Sequence, residues 1–160
     1  MKKPIIFAFL IYILDQLSKL AVSHFLPYGS SISVIKPLAF FNIVKVQNTG
    51  IAFSLLQNKN FIFMVLVFCF LLVLIIWLYK NRSKIPSLQK YAFCFVIAGG
   101  FGNLTDRLFR GAVVDFLDFG INYLRWPSFN IADSAVCIGT FLILLDIIIS
   151  ARSQKSAGGK

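Results

Sequence analysis

Asp115 and Asp133 are the residues in this chain best suited to do chemistry. The sequence has no Glu and six Asp, and four of those, Asp106, Asp115, Asp118 and Asp133, fall between positions 99 and 133. Asn103, Arg107 and Asn130 share that window, in a chain that is 58% hydrophobic. Ionisable groups are costly near a bilayer and by default mark functional positions there. Two carboxylates held close cannot both ionise easily, so one keeps a proton while the other serves as a base. Such a pair suits peptide hydrolysis. The charged Asp takes a proton from water, and the neutral one polarises the scissile carbonyl and later helps protonate the leaving amine. Each residue also has a plainer reading. Asp133 lies three positions after Asn130, a capping-box-like placement at a helix N-terminus, and Asp115 and Asp118 could each end a loop. The gathering of acids beside Asn and Arg favours the paired site.

The elements that must position this pair are hydrophobic helices. A spanning helix needs about 20 mainly apolar residues, and four stretches qualify: 5–26, 61–79, 91–109 and 131–150. Mean hydropathy is +0.81 and 16% of residues are aromatic. The expected fold is therefore a single integral-membrane domain over residues 1–160. It is all-α in its membrane part, with four transmembrane helices and a small β element facing outward. In this antiparallel arrangement Asp115, after the third helix, and Asp133, at the start of the fourth, reach the same outer level.

A net charge of +10 could suggest nucleic acid, but the basic residues are placed otherwise. Lys2 and Lys3 precede the first helix, Lys80, Arg82, Lys84 and Lys90 lie between the second and third, and Arg152, Lys155 and Lys160 follow the fourth. None of these segments contains an acid, so the positive-inside rule puts both termini and the 80–90 loop in the cytoplasm. Segments 27–60 and 110–130 then face outward. Cys69, Cys94 and Cys137 fall within spans without CxxC spacing, and the single His24 has no partner nearby in sequence, so neither a disulfide frame nor a metal site is indicated. The N-terminal run resembles a secretory signal, but it is too long and carries Asp15 and Lys19, which fits a retained helix.

Asp15 and Lys19 share one face a turn apart and can pair; that face is expected to point into the bundle and brace the outward site. Within 27–60, the β-branched stretches 32–36 and 41–46 predict short strands, and Asn48-Thr49-Gly50 a turn. Residues 51–56 follow as a short helix at the membrane surface, and the segment is expected to form a small sheet lying on the bilayer. Helix 61–79 is apolar all round and reads as scaffold. In the third helix Gly99, Gly100 and Gly102 permit close approach of a neighbour, and Asn103 and Arg107 share a face; Asp106 and Arg107 are poorly spaced to pair with each other. The tail 153–160 is expected to be disordered.

Five motifs in order carry a resemblance: Asp15-x-x-Ser18-Lys19, Asn48-Thr49-Gly50-Ile51-Ala52-Phe53, Gly99-Gly100-x-Gly102-Asn103-x-x-Asp106-Arg107, Val114-Asp115-Phe116 and Phe129-Asn130-x-Ala132-Asp133. The chain resembles the lipoprotein signal peptidases (signal peptidase II). That resemblance implies a bacterial inner-membrane aspartyl endopeptidase without a cofactor, which cuts a prolipoprotein just before a diacylglyceryl-modified cysteine. It implies Asp115 and Asp133 as the catalytic pair. Asn103, Arg107 and Asn130 match positions that contact substrate or steady the pair, and Asp15, Lys19, Asn48, Gly50, Ala52 and Asp106 match further motif positions. Membrane lipids and a globomycin-type cyclic peptide inhibitor are the other partners it implies; nucleic acid is not among them.

Two other classes are weighed against this. A Ser–Lys protease would need Ser18 to meet Lys19, yet adjacent helical residues point about 100° apart. A small ion or proton transporter could use Asp15 and Lys19, but no inverted repeat or broken helix pair supports it.

Overall fold

A computed structural model describes residues 2–35, 40–49 and 60–157. The elements follow the order α1 (Lys2–Phe25), β1 (Ser31–Ser33), β2 (Phe41–Asn48), α2 (Asn60–Asn81), α3 (Ser87–Arg110), β3 (Val113–Ile121), β4 (Leu124–Arg125) and α4 (Ile131–Ala157). Among the described residues, Lys2–Phe25, Met64–Asn81 and Ile131–Arg152 are long and apolar enough to cross a membrane. With 24 residues, α3 is about 36 Å long. Its mean hydropathy is lowered by the Gly, Asn, Asp and Arg residues of its second half. It can carry them because it packs against α1, α2 and α4. The protein is a multi-pass membrane protein, helical with a small antiparallel sheet.

In α1 the usual amphipathy is inverted. Pro4, Asp15, Lys19 and Val22 are its buried residues, while Ile5, Phe9, Leu10, Leu14 and Leu17 are exposed toward the surrounding apolar phase. Water is the poor solvent for the outer face and lipid the poor solvent for the inner one, so charge turns inward. Close packing of α3 depends on absent side chains. A Cβ on Gly99 would collide with the Ala132 carbonyl, and one on Gly102 would sit 2.6 Å from Asp15 Oδ2. Gly111, at φ +74°, ends α3 in the left-handed conformation that only glycine adopts cheaply.

The four strands form one antiparallel sheet in the order β1-β2-β3-β4. Val22, Val114 and Phe116 form a buried cluster with Ile43, Leu117 and Ile131, joining the end of α1 to the sheet and α4. Lys45 ties the sheet to α1 as well, donating to the free carbonyls of Ser23 (2.8 Å) and Leu26 (3.0 Å) at the helix C-terminus.

Some boundaries differ from the sequence expectations. Asp115 and Asp118 do not end loops; both lie within β3, whose first four residues are all buried and so show no polar–apolar alternation. The helix α4 continues through 153–157, where disorder was expected, and α3 begins at Ser87 rather than 91. The surface helix expected at 51–56, with Gly50 and Ala52, lies outside the described residues.

Candidate active site

Asn130 is the centre of the site. It is fully buried where the 126–130 segment, hydrogen-bonded to β3 through Phe129 (Phe116 N to Phe129 O, 2.9 Å; Leu117 N to Phe129 O, 2.8 Å), turns into α4. Its side-chain oxygen accepts the Asp133 N–H (2.9 Å), and Asp133 Oδ2 accepts the Asn130 N–H (3.2 Å). This is a reciprocal cap that locks the first turn of α4. The Asn130 amide nitrogen meanwhile donates to Asp115 Oδ1 at 2.8 Å. One residue therefore holds both carboxylates.

Each carboxylate has a second amide partner. Asn103 donates to Asp133 Oδ1 (2.7 Å), and Asn48 donates to Asp115 Oδ2 (3.1 Å). The Asn48 contact depends on an irregularity in β2. Asp115 and Asp118, three apart, point to opposite faces of the sheet, whereas Asn42 and Asn48, six apart, would share a face in a regular strand. A register shift between Ile43 and Val46 inserts one residue and reverses the alternation. Asn42 thus meets Asp118 (3.1 Å) on one face while Asn48 meets Asp115 on the other.

Behind the pair lies a buried ionic network. Lys19 Nζ is 2.8 Å from Asp15 Oδ2 and 3.0 Å from Asp106 Oδ2, and donates to Asn103 Oδ1 at 3.1 Å. Lys19, Asp15 and Asp106 are all fully buried. With its oxygen engaged by Lys19, Asn103 must turn its NH₂ toward Asp133, which fixes the amide orientation. Asp15 Oδ1 accepts the Ala132 N–H of α4 (2.9 Å), and Asp106 Oδ2 accepts the Val114 N–H of β3 (3.1 Å). The network thereby grips the backbone on either side of the site. Arg110 pairs with Asp106, and Gln16 reaches Asp15, the Gly102 carbonyl and Asp106. Neither Arg110 nor Gln16 was among the residues singled out in the sequence. Arg110 stood one turn after Asp106, a spacing that could have flagged it.

Asp115, Asp133, Asn48, Asn103 and Arg107 all line one cavity of about 1010 Å³, whose wall continues over Phe70, Leu71, Val96 and Ile138. Asp106 does not line it, although it is next to Arg107 in sequence. Burial, followed by the charge of Asp133, raises the Asp115 carboxyl to about 7 against the hydrogen bonds from Asn48 and Asn130. Arg107 stands within electrostatic reach of both carboxylates. Asp118 belongs elsewhere: Arg125 and Asn42 hold it on the other face of the sheet. Among the described residues, no cluster of His, Cys and Asp could hold a metal ion.

A family profile described as signal peptidase (SPase) II matches residues 7–149. The chain belongs to the signal peptidase II family. Similar proteins include the lipoprotein signal peptidase of Shewanella halifaxensis, 43% identical over 155 residues, covering 94% of this chain and 88% of that protein. That of Aeromonas hydrophila is 45% identical over 152 residues, covering 92% and 87%. A solved bacterial membrane enzyme matches with a TM-score of 0.85 at 30% identity, over 94% of this chain and 90% of the other. As a member of the signal peptidase II family the protein is a membrane peptidase, and neither the Ser–Lys nor the transporter reading is supported.

Proposed function

We propose that Asp115 and Asp133 are the catalytic pair with which this signal peptidase II family member removes signal peptides from prolipoproteins, cutting before a diacylglyceryl-modified cysteine. The observation that carries this reading is the double engagement of Asn130, which binds Asp115 with its NH₂ and caps Asp133 with its oxygen and backbone at the edge of one cavity. Asp115, raised to about 7, holds the shared proton near neutral pH. It donates toward the scissile carbonyl, and Asp133 takes the proton of the attacking water. The proton gained by Asp133 passes to the leaving nitrogen, and as the C–N bond breaks the carbonyl oxygen returns its proton to Asp115, so the pair ends with the one shared proton it began with. Arg107 faces the same space and supplies positive charge where the carbonyl oxygen becomes negative. Asn48 and Asn103 keep the two carboxyl groups from rotating.

The apolar wall from Phe70 to Ile138 suits an acyl or helical apolar segment, and each buried CH₂ of a diacylglyceryl group contributes about 0.8 kcal/mol to membrane partitioning. The charge distribution supports both termini in the cytoplasm and the site on the outer side of the bacterial inner membrane. A reporter fused within the 80–90 loop should read cytoplasmic and one at Ser31 external. For the activity, the purified protein is incubated with a peptide bearing a diacylglyceryl-modified cysteine and with the same peptide carrying a free cysteine. Cleavage before the lipidated cysteine, with little turnover of the free form, is the expected result; equal turnover of both overturns the substrate assignment.

A further inference from the structure

Arg110 lies outside the motif series and is not among the described residues lining the cavity of Asp115 and Asp133, yet it is bonded into the ionic network behind them. With Asp115 and Asp133 read as the catalytic pair, on which this depends, we propose that Arg110 is a positioning residue for the same reaction: its charge fixes Asp106, and Asp106 in turn aims both carboxylates. Asp15, Asp106 and Lys19 are fully buried, so the heart of the network holds two carboxylates and one ammonium. A buried charge without a partner is costly. Arg110, its side chain 24% exposed, supplies the second cation from the rim. It pairs with Asp106 Oδ1 and donates to Gln16 Oε1 at 3.1 Å.

Two routes lead from Asp106 to the pair. Asp106 Oδ2 accepts the Val114 N–H (3.1 Å), which fixes the backbone one residue before Asp115. The same oxygen is 3.0 Å from Lys19 Nζ. Lys19 donates to Asn103 Oδ1 (3.1 Å), and the Asn103 NH₂ donates to Asp133 Oδ1 (2.7 Å). Without Arg110, Asp106 Oδ1 keeps only the Gln16 amide at 3.4 Å, and one ammonium serves two buried carboxylates. Lys19 is then drawn toward Asp106 and away from Asn103. Once its oxygen is released, Asn103 can present that oxygen to Asp133, where an acceptor meets an acceptor. A basic residue in the last turn of α3 also complements the helix dipole, and that plainer role would affect stability alone.

The test measures kcat and KM of the full chain in detergent with the lipidated peptide, well below the thermal midpoint of each variant. R110Q, which keeps hydrogen-bonding groups but no charge, should lower kcat at least about tenfold while KM stays within about twofold. R110K, which keeps the charge, should retain at least about threefold more of kcat than R110Q. If R110Q does not fold, R110A carries the test: added methylguanidinium, reaching the half-open site from solvent, should raise its kcat at least about threefold over equimolar sodium chloride. An unchanged kcat in R110Q, a change in KM alone, R110K no faster than R110Q, or equal rates of R110A in the two salts each overturns the proposal. D115N and D133N in the same assay separate the two readings. If both are inactive while R110Q runs at full rate, only the role of Arg110 falls; cleavage by either removes the pair itself, and the role of Arg110 with it.

Discussion

Asp115→Asn should abolish cleavage and yet stabilise the protein above neutral pH. In the folded protein burial and the Asp133 charge raise the Asp115 carboxyl to about 7, whereas in an unfolded chain it ionises near 3.9. Between those values the folded state binds one more proton than the unfolded state, so this site's contribution to stability is fully present below about pH 4 and falls as pH rises through 7. A gap of about three units corresponds to about 4 kcal/mol once both states are ionised. The substitution removes that penalty, but an Asn NH₂ cannot accept from both Asn48 and Asn130. One donor loses its partner, at a cost of about 1–2 kcal/mol. The variant should therefore be less stable than the parent at pH 4, equal to it near pH 5, and more stable by about 2 kcal/mol at pH 8. That gain is roughly 4–8 °C in midpoint for a chain of this size. The measurement is the detergent-solubilised thermal midpoint of both proteins from pH 4 to 8, with cleavage of the lipidated peptide alongside. A midpoint difference that does not change with pH would mean that Asp115 titrates normally, and the pair would lose its neutral member. An active Asp115→Asn would end the mechanism.

Asp133→Asn should reduce cleavage at least about 10³-fold and cost about 1–2 kcal/mol, because the Asn oxygen can keep the Asn130 N–H or the Asn103 amide but not both; if the residue only caps α4, most activity will survive in the rate assay. The Asp115→Asn/Asp133→Asn double variant should be scarcely slower than either single one, and multiplicative rate losses would show that the two act independently. Asp118→Asn should keep its cleavage rate within about twofold, because Asp118 points away from the cavity toward Arg125 and Asn42; a large loss would place it in the chemistry. Lys19→Met leaves the buried Asp15 and Asp106 carboxylates short of a cation and should cost about 3–5 kcal/mol in thermal or denaturant unfolding, a magnitude that a shift under 1 kcal/mol would contradict.

The helical part of the fold was legible because apolar runs of spanning length have few other uses, and the inward face of α1 was legible from Asp15 and Lys19 alone. The strand β3 was not. Val113, Val114, Asp115 and Phe116 are all buried, so the period-two pattern that betrays a half-exposed strand is missing. Asp106 and Arg107 show a second limit. Both fell in the window read as the site, but neighbouring helical residues face different ways, and only Arg107 lines the cavity while Asp106 turns to Lys19 and Arg110. The link from Asn48 to Asp115 was beyond reading, since it depends on a one-residue register shift whose place is set by pairing between distant segments. The motif series named candidate residues, and the partner of each described one came only with the fold.

Asp15 completes the N-terminus of α4 from a position 117 residues earlier in the chain, through its bond to the Ala132 N–H. A ribosome delivers α1 to the membrane first and α4 last. Until the final helix has inserted and docked, Asp15 has no Ala132 N–H to accept, and Asp133 has no fixed place. The order of synthesis thus acts as a safety catch: a chain stalled or truncated before α4 holds Asp115 without its partner. On the proposed assignment, the two carboxylates come together only when the last helix docks on the first, so a copy without α4 lacks half of the pair.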